Sequence, residues 1–221
     1  MGQKTNPNSL RLIVKKDWKN VWHCDKNVYA NLMHNDIQIT KLVLNYLKKN
    51  KYYSDTISIT RLKKQIKINV HIYPIKDAVS GNLSNLFKNT DNHLTIDMGA
   101  FINYLNKYIT KTPIELNLEV LDSPLKNANI LSQFIAYHLE RRVSLRNIFI
   151  TLSKVFKVYD YLKGLKIKCS GRINGVEMAR SSEIYAGNLS LQTFNEKVVY
   201  STNIVNMKYG TLGLKVWVCY K

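Results

Sequence analysis

The side chains best suited to chemistry in this chain are cations, and they fall into two groups. Arg141, Arg142 and Arg146 put three guanidiniums within six residues. Planar, permanently charged and able to bond bidentately, guanidiniums spaced this way can clamp phosphate. The second group lies in Leu165 to Arg180, L-K-I-K-C-S-G-R-I-N-G-V-E-M-A-R. Leu165, Ile167 and Cys169 alternate there with Lys166, Lys168, Ser170 and Arg172, so a strand would present one apolar and one cationic face. Gly171 and Gly175 bracket a turn in which a missing Cβ lets backbone approach a partner. Glu177 and Arg180 stand three apart, close enough to pair in a helical turn. Taken alone, this stretch also describes an edge strand with a solvated lysine face, and the three arginines a solubilising helix surface.

Other chemistry lacks the residues it needs. His23, His34, His71, His93 and His138 are scattered, without the spacing of metal ligands. No nucleophile elbow, P-loop or dinucleotide fingerprint occurs. Glu115 and Glu119 share one strand face, where they are expected to be solvated, and the remaining carboxylates are too dispersed to hold a nuclease metal. No catalytic residue, metal or cofactor is expected. Cys24, Cys169 and Cys219 are odd in number and far apart, which suits reduced thiols in an intracellular compartment.

The chain has 221 residues, 45% of them hydrophobic, enough for one large or two small folded domains. With 33 Lys+Arg against 15 Asp+Glu, its net charge is +18. A polyanion is the partner that relieves such self-repulsion. No apolar run is long enough to span a bilayer, and the amphipathic stretches need their apolar faces for a core, so nucleic acid is expected and a membrane is not. The start, M-G-Q-K-T-N-P, lacks the apolar region of a secretory signal, and Asn6 stands where a myristoylation site needs Ser or Thr.

The elements that must position these cations follow from periodicity. Pro7 disfavours helix, so the first dozen residues read as an extended basic arm carrying Lys4 and Arg11. Trp18 and Trp22, at i and i+4, read as a packing anchor. Ile39, Leu42, Val43, Tyr46 and Leu47 form one helical face within Asp25 to Asn50. Runs from Ile57 and Ile66 read as adjacent antiparallel strands, with Ile66, Ile68, Val70 and Ile72 inward and His71 outward. A loop after Pro74, a helix through Phe101, Ile102, Leu105 and Ile109, and a strand from Ile114 to Val120 complete a small α+β unit. The domain boundary is placed at Leu121 to Pro124, where Ser123-Pro124 resembles an N-cap with proline at N1. Two helices follow, with a break near Ser144, and Gly164 is expected to stop the second. Strands are expected from Leu189, Val198 and Gly213. The domains so defined are 1–121 and 122–221, and the fold class is α+β, the second domain having two helices on a mostly antiparallel sheet.

Five segments together resemble the small-subunit ribosomal protein three family: M-G-Q-K-T-N-P-N-S-L-R-L, the Trp18 and Trp22 pair, L-E-R-R-V-S-L-R from Leu139, G-L-K-I-K-C-S-G-R-I-N-G-V-E-M-A-R from Gly164, and Y-G-T-L-G-L-K-V-W-V from Tyr209. The resemblance implies a KH-like (type II) N-terminal domain and a C-terminal α/β domain, both binding ribosomal RNA in the head of the small subunit. Neighbouring head proteins, and messenger RNA at the entrance of its channel, are the other implied partners. On this reading Lys4, Arg11, Lys166, Lys168, Arg172 and Arg180 face RNA, and Arg141, Arg142 and Arg146 are candidates for the messenger path. Departures are visible too. Where the family's G-x-x-G loop belongs, this chain reads I-K-D-A-V-S-G-N with Gly81 alone, which implies a degenerate phosphate grip. Asn147 and Ile150 replace an arginine and a lysine of bacterial members, and a basic position is replaced near Asn188. The start at the family motif, a short C-terminus and an Asn/Lys-rich bias suggest an organelle-encoded protein, mitochondrial rather than chloroplast. The alternative to a structural ribosomal protein is a free RNA-binding or RNA-processing factor, nuclease or helicase-like, acting off the ribosome.

Overall fold

The structure, a computed structural model, describes residues 5–12, 14, 18–62, 65–75, 96–108 and 113–221. Lys4, the Lys63-Lys64 turn, Ile109 and the degenerate loop with Gly81 lie outside the described residues. The chain divides into two units, with the last split falling between Asp122 and Ser123.

The first unit begins at Trp18 with a two-residue strand β1 (Asn20–Val21), so Trp18 and Trp22 do not share a helix face. Trp18 is 63% exposed, while the Trp22 indole donates to the buried Asp36 carboxylate at 2.7 Å. Helix α2 (Lys26–Lys49) buries Ile39, Val43 and Leu47 on the expected stripe and ends with Lys48 and Lys49 at its negative dipole end. Three strands follow: β2 (Tyr52–Ser54), β3 (Ser58–Arg61) and β4 (Ile66–Pro74). Both β2 and β3 pair antiparallel with successive parts of β4, and β1 adds in parallel to β3. After α3 (Met98–Tyr108), strand β5 (Ile114–Val120) pairs in parallel with the other side of β4. The helix, the adjacent antiparallel strands, the second helix and the last strand follow the order expected of the α+β unit. Alternation along β4 sends Ile66, Ile68, Val70 and Ile72 into the core with Phe101 and Leu105 of α3. Its outer face is open to solvent, as expected, Glu115 and Glu119 keeping 55% and 57% of their side-chain surface exposed. The β4–β5 register sets Lys67 against Glu115 at 2.9 Å and His71 against Glu119 at 3.0 Å, so the two glutamates are cross-strand partners of basic groups.

In the second unit Pro124 opens a short 3-10 turn (Pro124–Lys126) rather than the helix; α4 (Ala128–Glu140) starts after Asn127, whose side chain accepts from the Asn129 amide. The break near Ser144 is real: the Ser144 hydroxyl caps α5 (Leu145–Phe156) by accepting from the Asn147 amide. Four strands form one antiparallel sheet in the order β7-β6-β9-β8, where β6 is Leu162–Gly171, β7 Arg180–Gly187, β8 Lys197–Met207 and β9 Gly210–Tyr220. The strand expected at an edge, β6, is therefore interior. The α5 helix ends at Phe156, and Gly164 lies within β6 at an irregularity in its pairing with β9. A Cβ there would stand 2.1 Å from the Asn188 carbonyl oxygen, so glycine serves close approach, not helix termination. Leu165, Ile167 and Cys169 face inward, in register with Val218, Val216 and Leu214 of β9. The α4 helix closes this face, and the Ser132 and Ser201 hydroxyls bond beneath it at 2.9 Å.

The N-terminus belongs to this second unit. It is not extended: Asn6 caps a four-residue helix α1 (Pro7–Leu10) with Pro7 at its first position, where a missing N–H costs nothing. Asn8 donates to the Tyr200 carbonyl at 2.7 Å and accepts from the Tyr200 amide at 3.1 Å, occupying the open edge of β8. Arg11 is only 2% exposed. Its guanidinium donates to the carbonyls of Pro7, Leu191, Thr193 and Glu196. These bonds hold 191–196 as a loop where a strand was expected. Arg11 is thus a clasp within the fold, which corrects the expectation that it faces RNA.

Candidate nucleic-acid interface

Arg141, Arg142 and Arg146 sit where α4 gives way to α5, and all three are exposed. The last turn of α4 closes with the Arg142 amide on the Leu139 carbonyl at 2.9 Å and the Val143 amide on the His138 carbonyl at 3.1 Å. That pattern forces Arg142 into the left-handed region, φ 63°, where glycine is the usual occupant. Arg141 lies with its guanidinium carbon 4.3 Å from the centre of the Tyr137 ring. Arg142→Gly is expected to stabilise the protein by about 0.5–1 kcal/mol, the relief of left-handed strain less glycine's entropy, seen as a raised thermal midpoint.

The same end of the unit carries the turn after β6. Residues Ile173–Gly175 form a 3-10 turn in which Asn174 also has positive φ, 57°. Arg172 donates from Nε to the Val176 carbonyl at 2.9 Å and from its terminal nitrogens to Gly175 and Tyr209 carbonyls at 3.5 Å. It therefore ties this turn to the β8–β9 hairpin. A Cβ on Gly175 would lie 3.0 Å from the Tyr209 ring, so the backbone approach that glycine permits here is to the hairpin. A cleft of about 360 Å³ opens between the helix junction, the turn and the hairpin, with Arg142, Arg172 and Lys208 among its lining residues. Two of the expected cations thus converge, joined by Lys208, which sequence reasoning missed because a lone lysine in a hairpin carries no periodic signal. Arg146 remains exposed on the first turn of α5.

Lys166 and Lys168 lie elsewhere, on the sheet face opposite the core. Register places Tyr185, Lys166, Trp217 and Tyr200 in one row and Glu183, Lys168, Lys215 and Thr202 in the next. Lys166 is not solvated: its side chain is 8% exposed and its ammonium sits 2.6 Å from the Tyr185 hydroxyl, 2.9 Å from Glu183 and 5.1 Å from the Trp217 ring centre. Burial works against its charge, but the bonds to Tyr185 and Glu183 outweigh it and the pKa is raised. Lys168 reaches the other Glu183 oxygen at 2.6 Å. One carboxylate so neutralises much of both lysines, and the cationic face is weaker than its residue types suggest. Bonds from Lys168, Tyr185 and Lys166 hold Glu183 down to about 2 from 4.5. A depressed carboxylate stabilises the fold above its unfolded pKa, and that contribution disappears as pH falls from about 4.5 towards 2. Thermal midpoints of the parent are expected to drop through that window, and those of Glu183→Gln, lower at pH 7, to drop less.

Arg180 opens the edge strand β7 opposite Gly171, on the core-facing side of the sheet, and is exposed. The structure therefore does not unite it with Lys166 and Lys168. The residues from Val176 to Ala179 are not helical, so Glu177 and Arg180 lack the spacing of a helical pair. Cys169 and Cys219 are buried thiols; burial, then the nearby Glu196 carboxylate, pushes Cys219 up to about 11, so it is protonated near neutrality. Among the described residues no group of three His, Cys, Asp or Glu side chains is placed to hold a metal, and no helix is long and apolar enough to cross a membrane.

The arrangement gathers cations of the kind that can bind phosphate. Residues 135–218 match the family model described as ribosomal protein S3, C-terminal domain. The chain is 34% identical over 218 residues to small ribosomal subunit protein uS3 of Borrelia garinii subsp. bavariensis, covering 98% of this chain and 70% of the relative. It is also 34% identical over 223 residues to the uS3 protein of Persephonella marina, covering 99% and 89%. With similarity running through both units, the chain belongs to the family of small ribosomal subunit protein uS3.

Proposed function

We propose that this chain is a non-enzymatic, structural constituent of the small ribosomal subunit, held there by ribosomal RNA and neighbouring proteins. The observation that carries this reading is similarity to uS3 proteins along nearly the whole chain. The convergence of Arg142, Arg172 and Lys208 on one cleft supports phosphate contact at the end of the C-terminal domain. Exposed Arg141, Arg142 and Arg146 suit the entrance of the messenger RNA channel. Asn147 and the 44% exposed Ile150 offer no charge on the same helix, which argues for passive lining rather than strand separation. The domains divide after β5, with Lys4 and Arg180 as further RNA contacts and Lys166 and Lys168 contributing only what Glu183 leaves. A mitochondrial ribosome is the proposed location, on the Asn/Lys-rich composition.

The test is sedimentation of the tagged chain from its source extract. Co-migration with small subunits that survives a high-salt wash is expected. Recovery only in fractions lighter than the subunit would instead favour the free RNA-binding factor.

A further inference from the structure

The cleft at the α4–α5 junction has more in it than cations. Its mouth carries Tyr209, 54% exposed at the tip of the β8–β9 hairpin. The Arg172 guanidinium carbon and the Lys208 ammonium lie 5.6 Å and 5.9 Å from the centre of that ring. The Gly175 turn packs against the ring edge and steadies it. Behind it the floor is apolar, from Leu139, Val143, Leu145 and Leu212, and Asn174 and Asn206 add amide groups to the wall. Glu140 is the one carboxylate of the lining, 3.4 Å from the Asn206 amide nitrogen.

Backbone strain collects at the same place. Three non-glycine residues have positive φ among those described, Lys51, Arg142 and Asn174, and two of them line this cleft. Left-handed conformations at such residues persist where surrounding structure holds them, and they concentrate at ligand sites. An aromatic ring, flanking cations, amides able to read a base edge and an apolar floor are what an unstacked nucleotide requires. Duplex RNA offers only phosphate and groove, so it cannot fill a pocket of this kind.

We propose that the cleft between the α4–α5 junction, the 172–175 turn and the 206–209 hairpin takes one unstacked nucleotide of single-stranded or looped RNA. The base stacks on Tyr209, and its flanking phosphate lies between Arg142 and Lys208. This rests on the RNA-binding reading above and adds to it a defined base site.

The probe is a ten-nucleotide single-stranded RNA carrying one 4-thiouridine, with a duplex of the same sequence as comparison, and the full chain as protein. Photocrosslinks are expected within 172–175 or 206–212. Tyr209→Ala is expected to weaken single-strand binding about ten-fold, with the salt slope unchanged because no ion contact is removed, while Tyr209→Phe binds as the parent does. Crosslinks confined to residues outside the cleft, equal affinity for the duplex, or parental binding by Tyr209→Ala each overturn the proposal while leaving RNA binding intact. Because the crosslink uses the unaltered protein, it decides the matter even if Tyr209→Ala misfolds. Absence of salt-sensitive binding by the unaltered protein to any RNA overturns the underlying function instead.

Discussion

Replacing Arg141, Arg142 and Arg146 together by alanine is expected to flatten the salt dependence of RNA binding while leaving the fold intact. Each lost phosphate contact removes about 0.7–0.9 from the slope of log affinity against log salt, so three remove roughly 2–2.7. Between about 50 and 200 mM salt the parent should then lose about twenty- to forty-fold more affinity than the variant. The three residues are exposed, and Arg142 occupies a left-handed position that alanine fills no better, so thermal midpoints should stay close together. Filter binding or anisotropy with small-subunit head RNA measures the slope. An unchanged slope would remove all three arginines from the interface.

The second large effect falls on stability and on the other unit. Asp36 is 1% exposed in α2, yet it is the hub that fixes the helix to the sheet. Its Oδ1 accepts from Arg61 of β3 at 2.8 Å and 2.5 Å, and its Oδ2 from Trp22 at 2.7 Å and Asn20 at 3.2 Å. The Arg61 side chain is 13% exposed, so removing its partner leaves a largely dehydrated cation. Asp36→Ala is expected to cost about 3–5 kcal/mol. Asp36→Asn, which keeps one acceptor oxygen, should cost less. In a double-mutant cycle with Arg61→Leu, the paired replacement should be far milder than the sum of the single ones, because no charge is then left unpaired. Urea unfolding followed by Trp22 fluorescence reads it, and additive single effects would mean that Asp36 and Arg61 are not energetically coupled.

These two sites show why net charge is a poor map of an interface. Asp36 and Glu183 are only two of the 15 acidic residues, yet one holds Arg61 and the other both Lys166 and Lys168. Arg11 is bound by carbonyls alone in the described contacts. Among the cations that remain exposed, Arg142 is held outward by its left-handed backbone and Arg146 lies on the first turn of α5.

Sequence by itself determined the periodic parts. The α2 stripe through Ile39, Val43 and Leu47, the alternation of β4, the break at Ser144, and β8 and β9 were legible because burial on one face repeats at 3.6 or 2 residues. The basic character and the family segments were legible too, being properties of residue type and order. Tertiary structure alone decided what depends on partners distant in the chain. Leu189 to Phe194 has strand-forming residues but loops, because Arg11, some 180 positions away, binds its carbonyls. Strand β7 escaped notice because its alternation, with Tyr185 out and Ala186 in, gains meaning only beside β6. The loss of free charge at Lys166 required Glu183 opposite its neighbour Lys168, and Lys208 and Tyr209 became part of a site only when the hairpin met the helix junction. Local periodicity names the faces; register and long-range hydrogen bonding decide which side chains remain available to a ligand.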